Sequence, residues 1–298
     1  MRETEIGIGT RGSALALAQA ALVRDALLAA GRSTRVVTIE TEGDRRAPDT
    51  AWGEGAFVAA IEGALLDGRV DLAVHSAKDI PIDEPPGLRI AAYLPRADAR
   101  DALVVRADSA VRSIDDLPTG TRVGTDSPRR TGFLRARRPD LVVHPLHGNV
   151  DTRLRRLAAG ETDALILACA GLDRLGLSER IAERLPADVV PPAAGQGAIA
   201  VQIRSDDAWL LDVLAAIDDR PTRLAVEAER SFLHAMGGGC RAPIGAYATV
   251  DGDRLDLLGA NLAIDTAMPV FRRRQSGSGD PAGAGRMLAA EMAPGATA

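Results

Sequence analysis

Three stretches of this sequence bring hydroxyl, amide and guanidinium groups together where a strand gives way to a helix. They are Thr10-Arg11-Gly12-Ser13, Thr125-Asp126-Ser127-Pro128-Arg129-Arg130 and Gly148-Asn149-Val150-Asp151-Thr152-Arg153. Backbone N–H groups left unpaired at a helix start favour an anion, and a guanidinium grips a carboxylate with two parallel hydrogen bonds. One such stretch is ordinarily a capped helix with a solvated arginine. Three within the first 153 residues point to a ligand that carries several negative groups. The chain as a whole is acidic, with a formal net charge of -5. Positive potential must therefore be focused locally, and a general nucleic-acid or membrane-surface binder, which needs a basic excess, is argued against.

A fourth stretch, His75-Ser76-Ala77-Lys78-Asp79, sits just past the predicted strand Val70 to Val74, at the end where open α/β sheets place ligands. Its plain reading is a solvated loop with a weak Lys–Asp pair. Its sharper reading is a catalytic carboxylate, Asp79, beside a cation. Lys78 is the one lysine among 36 basic residues, so its compact charge and shorter reach are candidate reasons for its presence. The two cysteines differ in setting. Cys169 continues an apolar strand and reads as inert core. Cys240 follows three glycines and precedes Arg241, a context that allows close approach to a ligand and favours a thiolate, so it is a candidate for attachment or nucleophilic chemistry. Four histidines with no paired Cys/His spacing give no zinc site.

The elements that must position these groups alternate between short β-rich runs and helical patterns, the rhythm of an α/β protein with mainly parallel strands. Strands are predicted at Ile6 to Thr10, Arg35 to Thr41, Thr121 to Gly124, Leu141 to His144 and Asp163 to Ala168. Helices are predicted from Ser13 to about Ala30, from Phe57 to Leu66, after Ser127-Pro128, and from Val150 to Ala159. A Pro/Gly-rich passage around 186–197 reads as a crossover between lobes. A helix from Pro221 to Ala235, strands from Ile244 to Phe271, a Gly/Ser-rich stretch from Ser276 to Gly285 and a final short helix predict a third, α+β unit. The length of 298 residues accommodates that division and a buried core without disulfides. No secretory signal and no apolar run of about 18 residues is seen, which predicts a cytoplasmic protein without a membrane span.

Two rival functions stay open on these residues. Gly7-Ile-Gly9-Thr-Arg-Gly12, with Glu40 at the end of the next strand, matches the dinucleotide-binding fingerprint and would suit a nicotinamide oxidoreductase. Placing the strand at Ile6 to Thr10 puts both early glycines inside it and spoils that geometry. A non-catalytic protein holding a small polyanion is the other.

Taken together, the motifs resemble the porphobilinogen deaminase (hydroxymethylbilane synthase) family. They are Ile8-Gly9-Thr10-Arg11-Gly12-Ser13-Ala14-Leu15-Ala16, Val74-His75-Ser76-Ala77-Lys78-Asp79, Gly124 through Arg130, Gly148 through Arg153, Ala194-Gly195-Gln196-Gly197 and Gly238-Gly239-Cys240. The resemblance spans nearly the whole chain and weakens after about residue 250. It implies two lobes like periplasmic binding proteins around a cleft, residues 1–97 completed by 196–216 and residues 98–195, followed by a small α+β domain at 217–298. It implies a monomeric cytoplasmic transferase of tetrapyrrole biosynthesis that joins four porphobilinogen molecules into hydroxymethylbilane and releases ammonia. It also implies a dipyrromethane cofactor held by a thioether at Cys240. Arg11, Arg129, Arg130, Arg153 and Arg174 match carboxylate-binding arginines, and Ser13, Ser76, Lys78, Thr125, Ser127 and Gln196 match accessory contacts. Asp79 matches a buried carboxylate that steadies a cationic azafulvene and manages protons. His147 stands where relatives usually carry an arginine, and Glu54 where many carry a lysine or a neutral residue. Both departures bear on carboxylate affinity.

Overall fold

The computed structural model describes residues 5–41, 58–239, 242–262 and 268–293. In chain order the first elements are β1 (Ile6–Thr10), α1 (Ala14–Ala29), β2 (Thr34–Thr38), α2 (Ala59–Leu66), β3 (Leu72–Ser76) and β4 (Leu88–Tyr93). Then come β5 (Asp101–Val105), β6 (Arg122–Gly124), α3 (Pro128–Arg137), β7 (Val142–His144), α4 (Val150–Ala158), β8 (Ala164–Ala168), α5 (Cys169–Arg174) and β9 (Ile181–Arg184). The remainder are β10 (Ile199–Arg204), α6 (Ala208–Ala215), α7 (Arg220–Ala235), β11 (Ile244–Asp251), β12 (Arg254–Leu262), β13 (Pro269–Gly277) and α8 (Pro281–Glu291). The chain forms two compact units. Among the described residues, one joins 5–41 and 58–96 with Ala198–Arg223, and the other joins Ala97–Gly197 with those from Leu224 onward.

The first unit holds a five-stranded sheet in the order β2-β1-β3-β10-β4. β1 runs parallel to β2 and β3, while β10 runs antiparallel to both β3 and β4. Four of the five strands thus share one direction, as the α/β rhythm predicts, and β10 alone is reversed. α1 covers one face because Ala16, Ala20, Val23 and Leu27 recur at helical spacing and are buried there. Its start is set by Ser13, whose Oγ accepts from the Ala16 N–H at 3.3 Å. Gly7 and Gly9 lie inside β1. Gly7 N–H donates to Asp71 Oδ2 at 2.7 Å, and a Cβ on Gly9 would stand 2.9 Å from Val70 Cγ2. Close packing of the neighbouring chain explains these glycines. A phosphate-cradling turn at the strand end, which the dinucleotide reading requires, is excluded.

The second unit repeats the pattern with the order β7-β6-β8-β5-β9, in which β6 is parallel to β7 and β8 and only β5 is reversed. It also contains the antiparallel sheet β11-β12-β13. Ala260, Leu262 and Phe271 of that sheet pack with Phe133 and Leu134 of α3 in a common core, and the Phe133 and Phe271 rings lie 5.7 Å apart.

Several boundaries differ from the sequence reading. β2 ends at Thr38, earlier than predicted. β3 runs to Ser76, two residues further than predicted. The last strand runs beyond the predicted Phe271 to Gly277, into the start of the predicted Gly/Ser-rich stretch Ser276 to Gly285, because its backbone pairs along β12 as far as Arg254. Cys169 is buried as predicted, but it opens α5 rather than ending a strand.

Candidate functional site

The motif residues of the first unit gather at one end of one sheet. β1 and β3 are adjacent and parallel, so Arg11 and Ser13 just beyond β1 and Lys78 and Asp79 just beyond β3 leave the sheet on the same side. The chain after β3 makes a single 3-10 turn, Ala77–Asp79. Ala77 N–H donates to Ala198 O at 3.0 Å, which anchors the turn to the start of β10. Ser76 Oγ accepts from Nε2 of Gln19, a buried α1 residue, at 2.8 Å. Lys78 is half-buried. Asp79 is exposed, where the resemblance leads to a buried carboxylate. The turn carries it past the last ladder pair, Ser76 with Ile199, so exclusion of water from this carboxylate falls to whatever binds there.

In the second unit the parallel strands β6, β7 and β8 likewise deliver their following segments to one sheet end. Beyond β6, Ser127 caps α3 through the Arg130 N–H at 3.4 Å, with Pro128 in the first turn. Thr125 is buried, and its Oγ1 accepts from the Ser127 N–H at 3.4 Å. Beyond β7, His147 Nδ1 lies 2.9 Å from Asp126 Oδ2, so this imidazole has an acidic neighbour from the β6 end. Arg153 Nε donates to Gly148 O at 2.7 Å, bracing the turn that opens α4. Beyond β8, Arg174 Nη2 donates to Gly197 O at 2.6 Å. Burial pulls the Arg174 guanidinium down to about 10, which leaves it charged at neutral pH.

Arg129 and Arg130 point to an internal partner that sequence reasoning missed. Asp101, fully buried at the start of β5, takes Arg129 Nη1 at 2.8 Å on Oδ2 and Arg130 Nη2 at 2.7 Å on Oδ1. Burial alone would raise the Asp101 carboxyl, but the two guanidiniums outweigh it and hold the group well below the usual carboxylate range. Gln196 completes the cluster, donating from Nε2 to Asp101 Oδ1 at 2.8 Å and to Ala99 O at 2.7 Å. Gly197, with φ of +87°, has Ala97 O only 2.5 Å from where a Cβ would stand, so this turn admits no side chain after Gln196. Asp101 sits in Asp98-Ala-Arg-Asp101, a stretch that reads as solvated charge, and no sequence signal marks it as the counter-ion of a distant pair.

Cys240, Arg241, Glu54 and the 42-to-56 loop lie outside the described residues. Among the described residues there is no group of three or more His, Cys, Asp or Glu that could hold a metal, and no helix is long and apolar enough to cross a membrane.

Residues 6–212 match the family model for the porphobilinogen deaminase, dipyromethane cofactor binding domain, and residues 223–294 match the porphobilinogen deaminase C-terminal domain. The chain belongs to the porphobilinogen deaminase family. A porphobilinogen deaminase of Roseiflexus castenholzii is 50% identical over 96% of this chain and 94% of its own length. One of Nitrobacter hamburgensis is 46% identical over 97% and 94%. Among solved structures, the second substrate binding domain of a putative amino acid ABC transporter from Streptococcus pneumoniae covers 72% of this chain and 92% of its own at 14% identity and a TM-score of 0.47. Porphobilinogen deaminases are transferases of tetrapyrrole biosynthesis that polymerise porphobilinogen, the hydroxymethylbilane synthase activity, and they carry a dipyrromethane cofactor. That cofactor, two pyrroles bearing acetate and propionate arms, needs cationic and hydroxyl donors and no metal. The half-buried Arg153 and Arg174 and the Ser127 cap, with Thr125 behind it, supply donors of that chemistry. On this test the residues fit the group.

Proposed function

We propose that Asp79 is the acid–base carboxylate of porphobilinogen polymerisation in this chain, with Lys78 as its neighbouring cation. The observation that supports this reading is the shared sheet end: β1 and β3 are adjacent and parallel, so the segments that carry Arg11 and Ser13 and those that carry Lys78 and Asp79 follow from the same end of one sheet. Porphobilinogen loses its aminomethyl nitrogen as ammonia when that C–N bond breaks. The electron pair leaves with the nitrogen, and the methylene carbon becomes cationic through the pyrrole. A carboxylate held at the pyrrole N–H stabilises that charge as it forms. Asp79 protonates the leaving amine and accepts the proton released when the attacked ring carbon regains aromaticity.

Arg11, Arg153 and Arg174 bind carboxylate arms of substrate and product, with Ser13, Ser76, Thr125 and Ser127 as accessory donors; Gln196, whose amide N–H groups go to Asp101 and Ala99, contributes by holding the Arg129–Arg130–Asp101 cluster. Arg129 and Arg130 serve the same ligand with whatever donors Asp101 leaves them. His147, held by Asp126, contributes a weaker contact than an arginine would. Dipyrromethane, held at Cys240 through a thioether, supplies the fixed primer end from which the chain grows. We further take the enzyme to be a cytoplasmic monomer acting on a small molecule without nucleic acid or membrane, divided into domains 1–97 with 196–216, 98–195 and 217–298. The net charge of -5 supports the reading without nucleic acid or membrane surface, and the sheets β2-β1-β3-β10-β4, β7-β6-β8-β5-β9 and β11-β12-β13 support the domain division.

The test is Asp79→Asn in the loaded enzyme. Turnover is expected to fall by roughly 10²–10⁴ with the circular dichroism and the intact mass of the cofactor adduct unchanged. Near-normal turnover sinks the assignment. Cys240→Ser is expected to lose the adduct mass and the colour reaction of a pyrrole-sensitive aldehyde. An unmodified yet active protein rules out the thioether.

A further inference from the structure

The end of β3 is held by polar side chains from both faces of its sheet. Alternation along the strand puts Leu72, Val74 and Ser76 on one face and Ala73 and His75 on the other. Leu72 and Val74 pack with Ala20, Val23 and Leu27 of α1, and Ala73 packs with Ile61, Ala64 and Leu65 of α2. On the α1 face, Gln19 is 4% exposed and donates to Ser76 Oγ. On the α2 face, Gln202 of β10, fully buried, has Oε1 3.2 Å from His75 Nε2 and donates from Nε2 to Glu62 Oε1 at 3.0 Å.

The hydrogen bonds fix their own direction. Glu62 Oε1 accepts here, so the Gln202 amide nitrogen faces it. The Gln202 carbonyl then faces His75, and His75 Nε2 must carry the proton. Burial holds this imidazole at about 4, so it is neutral at physiological pH and keeps one tautomer. The ladder to β10, which ends at Ser76 with Ile199, and the Ala77 N–H to Ala198 O bond hold the backbone of this strand end, and the side-chain bonds fix how Ser76 and His75 sit on its two faces. Asp79 stands three residues beyond Ser76, across one short turn closed by Ile80 N–H to Ala77 O at 3.4 Å, so a small shift of Ser76 or His75 is carried through that turn to its carboxylate.

We propose that Gln19, Gln202 and Glu62 are positioning residues for Asp79, a two-faced polar clamp on Ser76 and His75. This inference rests on the reading of Asp79 as the acid–base group. None of the three clamp residues is needed to touch substrate; each acts through the strand end.

The experiment compares the loaded enzyme with Q19L, Q202L, the double variant Q19L/S76A, S76A and D79N. Steady-state kinetics are measured across pH, thermal unfolding is followed by circular dichroism, and the histidines are labelled with ¹⁵N. Q19L and Q202L are each expected to lower kcat by about tenfold, the scale of a sub-ångström misplacement, with KM for porphobilinogen within about twofold and the limbs of the kcat–pH profile displaced. Q19L/S76A is expected to lose no more than S76A alone, since the glutamine acts through that hydroxyl. The ¹⁵N spectrum is expected to show one neutral Nε2–H imidazole that becomes a tautomer mixture in Q202L. If both leucine variants keep kcat within twofold while the ¹⁵N signature shows the relay broken, the clamp is overturned, even if D79N is inactive. If Q202L does not fold, Q19L and the cycle with S76A decide. An active D79N overturns the reading of Asp79 itself, whatever the clamp variants do.

Discussion

Arg130 sets Nε and Nη2 at 3.0 and 2.7 Å from the same oxygen, Oδ1, of the fully buried Asp101. With Arg129 on the other oxygen, two cations share one anion inside the second unit, and the geometry makes the anion irreplaceable by an amide. Asp101→Asn leaves two buried guanidiniums without a counter-charge and is expected to destabilise the fold by roughly 3–5 kcal/mol, measured by urea unfolding. The depressed Asp101 carboxyl also sets a pH window. A folded-state value below the unfolded one contributes stability that is complete above the unfolded value, about 4, and is lost as pH falls toward the folded value. The stability gap between parent and variant should therefore stay constant from neutral pH down to about 4 and shrink only below it. A gap that narrows between pH 8 and 5 would assign the effect to another group.

The cap on α3 can be removed separately. Ser127 Oγ accepts from the Arg130 N–H at 3.4 Å, and Pro128 follows it. Ser127→Ala is expected to cost about 1 kcal/mol of stability. If the hydroxyl also meets a carboxylate of the ligand, KM for porphobilinogen should rise while Ser127→Thr restores both. Loss of stability with an unchanged KM would leave Ser127 a cap and nothing more.

How far the sequence could be read depended on whether an interaction is local. Ser13 and Ser127 were legible as caps because capping spans three residues. Lys78, Asp79 and Arg153 were legible as residues just beyond strands or in the helices that follow them, and Arg174 only through the family resemblance; parallel pairing of β1 with β3 and of β6 with β7 and β8 then brought their segments to shared sheet ends. β10 was invisible to pattern because Ile199–Arg204 is buried along its length and carries little alternation of polarity, and it follows a Pro/Gly-rich passage. Asp101 and Gln202 were missed for a different reason. Their partners lie 29 and 127 residues away, and a lone Asp or Gln in sequence announces no partner.

The Cys169 thiol is predicted to be unreactive in the native state. It is buried at the start of α5, and desolvation pushes it up to about 12. In a Cys240→Ser protein Cys169 is the remaining cysteine. A thiol reagent at neutral pH should modify it only on addition of denaturant. Rapid labelling of the native variant would mean that the β8–α5 junction opens on the timescale of the reagent.

Lys78 poses the sharpest question of charge against shape. It occupies the middle of the three-residue turn that ends at Asp79, in a chain whose other basic residues apart from histidine are all arginine. An ammonium concentrates its charge at one atom with three donors, whereas a guanidinium spreads it over a plane and reaches further. If the role were charge alone, Lys78→Arg would be harmless. If the compact cation must fit beside the carboxylate while a pyrrole occupies the same end of the sheet, the larger group displaces one or the other. Lys78→Arg is expected to lower kcat by roughly ten- to a hundredfold, the cost of misplacement on the ångström scale, with a native melting temperature. Lys78→Met, which removes the charge and keeps an unbranched side chain of similar reach, should raise KM for the carboxylate-bearing substrate as well. A fully active Lys78→Arg enzyme would reduce the single lysine to an accident of composition.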